Sequence, residues 1–117
     1  MFSAIVQDHF YNPRNSGELE SATHQGIAGL PGDGPYMILW FRVEGDHILD
    51  ASYKTYGCPT AVASGSMVAQ LAKGRTIPQI TALSIDDLTR LLGGVVEGKE
   101  HCPQLAIEAL NKAFKPS

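Results

Sequence analysis

The run from Tyr36 to Tyr56 restricts the fold more than any other part of the chain. Tyr36 to Val43 is dense in β-forming residues, Glu44-Gly45-Asp46 supplies a turn, and His47 to Tyr56 returns with alternating character. The pattern predicts a β-hairpin. From Pro59 to Lys73 it changes to small and apolar residues at helical spacing, with Gly74 as the stop signal. Ser84 with Asp87 three residues on opens a short helix that Gly93-Gly94 closes. A last helix is expected from Pro103 to about Phe114, its stripe of Leu105, Ala106, Ala109, Leu110 and Ala113 facing a core.

Before the hairpin, Phe2 to Tyr11 carries apolar residues at helical spacing, and Asn12-Pro13 ends it. Residues 13–35 are mostly breakers, and Gly26 to Pro35 (with Gly29, Pro31, Gly32 and Gly34 between them) reads as loop. The expected fold class is α+β, an antiparallel hairpin-based sheet packed against several helices, in one domain spanning 1–117. In the first hairpin strand Met37, Leu39, Phe41 and Val43 share one face, but Ile38 and Trp40 make the other apolar too. Such a face is either covered by the N-terminal segment or is a contact between copies centred on Trp40.

A net charge of −3 with no basic cluster excludes an electrostatic nucleic-acid binder. Met37 to Phe41, the longest apolar run, is too short to cross a bilayer, and no signal peptide is visible at the start. Two cysteines are too few for a disulfide scaffold, which points to a reducing cytoplasm.

Those two cysteines, Cys58 and Cys102, each stand directly before a proline at an expected helix start. Proline favours the first helical position, so both sulfurs are expected at N-caps, where free amides and the helix dipole stabilise a thiolate. A thiolate binds soft metals and carries sulfur. His101 lies beside Cys102 as a further donor or proton handler, and Lys54 is either a solvated strand charge or a cation near Cys58.

Three segments in order carry a family resemblance. Asp8-His9-Phe10-Tyr11-Asn12-Pro13-Arg14-Asn15-Ser16-Gly17, Lys54-Thr55-Tyr56-Gly57-Cys58 and Lys99-Glu100-His101-Cys102 resemble the signatures of IscU/NifU-type iron–sulfur cluster assembly scaffolds. The resemblance implies a non-enzymatic carrier. It would take sulfur from a cysteine desulfurase, bind iron or a transient [2Fe–2S] cluster, and pass the product to acceptor apo-proteins. Cys58 and Cys102 would be ligands, with Cys102 the candidate persulfide acceptor and His101 an alternative ligand. His9 and Arg14 would anchor the first helix.

Two departures accompany the match. The family's first motif resembles Gly-Ala-Pro-x-Cys-Gly-Asp, but this chain reads Gly29-Leu30-Pro31-Gly32-Asp33-Gly34-Pro35. Asp33 therefore stands where a cysteine would, and Pro35 where the aspartate would. Asp33 is either a turn residue or a hard ligand, and the set Asp33, Cys58, His101 and Cys102 would also suit Zn²⁺. Gly94-Val95-Val96-Glu97-Gly98 replaces the Leu-Pro-Pro-Val tract through which many relatives dock a chaperone, so that partner is not carried over. A relative binding only zinc or no metal, acting as a desulfurase-interacting regulator or sulfur relay, is the alternative expectation.

Overall fold

A computed structural model describes residues 2–114. In chain order the elements are α1 (Ala4–Tyr11), β1 (His24–Gly29), β2 (Tyr36–Glu44), β3 (His47–Tyr56), α2 (Pro59–Ala72), α3 (Ile77–Thr81), α4 (Ile85–Leu91) and α5 (His101–Phe114). The three strands form one antiparallel sheet in the order β1-β2-β3. The expected α+β class and hairpin are present. The register pairs Leu39 with Tyr53 and Phe41 with Ala51, and a bulge falls between Arg42 and Val43.

Strand β1 corrects the reading of Gly26 to Pro35 as loop, since Gly26 to Gly29 belong to it. Its Gly26 is there for packing, not for a turn. A Cβ on Gly26 would stand 1.9 Å from the Ala109 carbonyl oxygen, so only glycine lets the α5 backbone lie this close to the strand. Helix α2 approaches β3 in the same way, since a Cβ on Gly65 would meet the Tyr53 ring at 2.6 Å. Between these contacts Met37, Leu39 and Phe41 are fully buried with Val68, Ala69, Ala106 and Leu110.

Three further corrections concern helices. Helix α3 was not anticipated, although Thr76 and Gln79 form a full capping box around Pro78. The similar Ser84–Asp87 box opens α4 as expected. Helix α5 starts at His101 rather than at Pro103, because proline is tolerated throughout a first turn whose amides have no intrahelical acceptor. Cys102 is therefore inside the helix, with its N–H donating to the Lys99 carbonyl at 3.1 Å. By contrast, Cys58 is the N-cap of α2, as its sequence implies.

The second apolar face of β2 is covered in part within the chain. Asn15 and Gly17 hydrogen-bond to Tyr53 on the outer edge of β3, while the Thr23 N–H donates to the Phe41 carbonyl beside β1. Helices fill the Met37–Leu39–Phe41 side, so residues 18–22 must cross the sheet on the Trp40 side. Trp40 is left only 6% exposed. The N-terminal segment thus covers the face at Trp40, while Ile38 stays half-buried and its neighbour Ile27 exposed.

Candidate functional site

Strand β3 ends at Tyr56, and after Gly57 the chain turns into α2 with Cys58 at the cap. Helix α5 packs against α2 and brings Cys102, in its own first turn, to the same end of the molecule. The two sulfurs stand 3.7 Å apart. His101 Nε2 lies 3.6 Å from the Cys102 sulfur. A small cavity of about 130 Å³ opens onto both thiols, bounded also by Pro35, Tyr56, Lys99 and His101.

Their environments pull the two thiols apart. Cys58 is half-buried, and burial alone would push its pKa up. The backbone amides of Ala61 and Thr60, the neighbouring Cys102 thiol and the Lys99 charge together outweigh burial, so Cys58 titrates below its ordinary value. Cys102 is 1% exposed. Burial, then the adjacent Cys58, push its pKa up to about 12. The expectation of two helix-cap thiolates therefore becomes one thiol, Cys58, that ionises more readily than usual, beside one, Cys102, that keeps its proton.

The cation at this site is Lys99, whose charge bears on both cysteines. Lys54, the sequence candidate, is an exposed residue of extended β3. It does not line the cavity that opens onto the sulfurs, whereas Lys99 does. The turn that links the Cys102 N–H to the Lys99 carbonyl instead folds Lys99 back toward the sulfurs. The same contrast was present in the sequence: a basic residue ahead of a helix start can fold back, one within a strand cannot.

Asp33 is exposed, and its N–H closes a tight turn on the Leu30 carbonyl at 2.9 Å. The loop reaches the cavity through Pro35, not through Asp33. Among the described residues, no three His, Cys, Asp or Glu side chains are placed to hold one metal ion. What the fold assembles is a thiol pair with an adjacent imidazole.

Residues 1–116 match the model of the NifU-like N terminal domain. The chain belongs to that family. It is 40% identical over 114 residues to "Iron-sulfur cluster assembly scaffold protein IscU 1" of Archaeoglobus fulgidus, covering 97% of this chain and 74% of that protein. It is 41% identical over 116 residues to the scaffold protein IscU of Aquifex aeolicus, with the same 97% and 74% coverage. A solved structure described as an iron–sulfur cluster assembly scaffold for the SUF system, from Fervidobacterium islandicum, superposes with a TM-score of 0.76 at 20% identity. That superposition covers 97% of this chain and 96% of the other, and shows that the family fold is kept. The family is one of scaffolds rather than enzymes, as the resemblance implies.

Proposed function

We propose that this NifU-like domain is an iron–sulfur cluster assembly scaffold that receives sulfur from a cysteine desulfurase, holds iron or a transient [2Fe–2S] cluster, and releases it to acceptor apo-proteins. One observation carries the reading, the 3.7 Å separation of the Cys58 and Cys102 sulfurs. Two thiolates on one tetrahedral ion with metal–sulfur bonds of ~2.3 Å lie about 3.8 Å apart. The pair therefore has the spacing of two ligands on a single ion before any ion arrives.

Cys58 and Cys102 would hold the cargo, His101 would join by a side-chain rotation, and Asp33 would join only if its loop folds inward. With two thiolates and weaker remaining donors, the cluster is held loosely, which suits a carrier that gives it away. The domain would act in the cytoplasm as a single unit over 1–117. Zinc is the second reading, because the same tetrahedral spacing suits Zn²⁺ and the chain supplies only two thiols. In that case the protein would be a desulfurase-interacting regulator or a sulfur relay.

Anaerobic reconstitution with Fe²⁺ and sulfide tests this. The scaffold reading expects sulfur-to-iron charge-transfer absorption with matched iron and sulfide per chain, lost in both Cys58→Ala and Cys102→Ala. Retention of zinc alone, with no such bands, would replace it with the second reading.

A further inference from the structure

We propose that Cys58 and Cys102 act as a dithiol that turns sulfane sulfur delivered to Cys58 into free sulfide, the pair itself closing to a disulfide. The inference rests on the sulfur-accepting part of the proposed function and adds a chemical step to it. A persulfide carries its outer sulfur at the oxidation level of elemental sulfur, whereas a cluster is built from sulfide. Two electrons must come from somewhere, and two thiols in contact hold them.

The geometry assigns the roles. Both thiols line the cavity, but Cys58 is half-buried whereas Cys102 is 1% exposed. Incoming sulfur therefore meets Cys58 first, which departs from the expectation that Cys102 is the acceptor. The chain has no third cysteine to which the sulfur could be passed. With the sulfurs 3.7 Å apart, closing to the ~2.05 Å of a disulfide needs a shift of under about 2 Å. Small side-chain rotations at two helix starts can supply that.

The steps balance as follows. The Cys58 sulfur attacks the outer sulfur of a donor persulfide, R–S–SH, and R–S⁻ leaves, giving Cys58–S–SH. The Cys102 sulfur then attacks the Cys58 Sγ from the side opposite the outer sulfur. The Cys58 Sγ–sulfane bond breaks, and hydrosulfide leaves with the electron pair. The Cys102 proton passes to His101 Nε2, 3.6 Å away, and on to the hydrosulfide. In sum, Cys58–S–SH and Cys102–SH give the Cys58–Cys102 disulfide and H₂S. The two thiol sulfurs are oxidised and the sulfane sulfur is reduced. An external thiol or dithiol reductant restores the pair for the next round.

The test uses the full chain, reduced and metal-free under anaerobic conditions, with glutathione persulfide as the donor. After brief loading in the cold and removal of the donor, intact mass and released sulfide are followed together. The wild-type chain should convert a species about 32 Da heavier than the reduced protein into one about 2 Da lighter, with one sulfide per converted chain. Cys102→Ser and Cys102→Ala should keep the heavier species and release sulfide at least about tenfold more slowly. Cys58→Ser should not gain the 32 Da. A wild-type persulfide as long-lived as that of the Cys102 variants would overturn the dithiol step while leaving sulfur acceptance intact. So would sulfide release without the lighter species. Persulfide formation in Cys58→Ser at the wild-type level would overturn the assignment of Cys58 as entry point. If no chain takes up sulfur, the sulfur-accepting reading fails together with the inference.

Discussion

His9 in α1 places its Nδ1 2.8 Å from the hydroxyl of Ser66 in α2, and the Arg14 N–H donates to that same hydroxyl at 3.1 Å. With the Arg14 amide already donating, the Ser66 hydroxyl can donate its proton to a neutral imidazole. Burial first, then the Arg14 charge, hold the His9 pKa below its ordinary value near 6.5. The folded chain therefore binds fewer protons at His9 than the unfolded chain, so stability is complete above about pH 6.5 and declines as the pH falls below it. Urea unfolding at pH 7.5 and pH 5.5 should show this loss. His9→Asn, which keeps a polar atom near Nδ1 without titrating, should flatten that part of the profile. An unchanged slope in the variant would mean that other groups produce it.

Alkylation rates should separate the two thiols. With its pKa at about 12, only about one Cys102 in ten thousand is ionised at pH 8, whereas Cys58 titrates below its ordinary value. Mass mapping after a short iodoacetamide pulse at pH 8 should find Cys58 modified at least about tenfold faster. Lys99→Gln should move the pH profile of Cys58 alkylation upward by removing a stabilising cation, and Lys54→Gln should leave it in place. A shift caused by Lys54→Gln alone would reverse the roles given to the two lysines.

A thiolate added at the right point of the Gly-rich loop should lengthen the life of a reconstituted cluster. Pro35 bounds the cavity next to the cysteines and Asp33 does not. Pro35→Cys should therefore retain the cluster under a chelator challenge several-fold longer than Asp33→Cys, by the preference of such clusters for thiolates. The opposite order would show that loading draws Asp33 inward and would restore it to the ligand set.

Gly26 is the tightest point of the fold. Placing a methyl group 1.9 Å from the Ala109 carbonyl oxygen forces α5 away from β1. Gly26→Ala should cost about 1–3 kcal/mol or more, by analogy with overpacked cores. Denaturant unfolding measures this directly. A variant as stable as the parent would mean that the strand–helix contact is looser than the geometry requires.

Local patterning announced the hairpin, the long helices and the α+β class because each is written in side-chain periodicity over eight or more residues. Strand β1 was hidden because Gly26 and Gly29 look like chain breakers, although Gly29 makes the turn into β2 and Gly26 lets a helix far away in sequence come close. Gly29 has φ +80 where β1 ends, and Gly26 meets Ala109 of α5. The cysteines and His101 were legible from the prolines that follow them and from the family signatures. Their inequality was not. Both read as helix caps in sequence, but the structure puts Cys58 at a cap facing free amides and Cys102 inside the first turn of α5, buried. Lys99 was visible as part of a signature, but its nearness to the sulfurs depends on a turn that spacing alone does not reveal.

Strand β3 lies at the end of the sheet, yet little of its outer rim is open. Ser16 bridges it at Tyr53, Thr76 bridges it at His47, and Ile48 exchanges hydrogen bonds with Gly74 and Arg75. A bare edge of this length is a template on which another chain can add a strand and begin to aggregate. Here the chain's own loops occupy that template. A second molecule arriving on this side finds the backbone at Ile48 and Tyr53 already paired, which shortens the edge left for sheet extension.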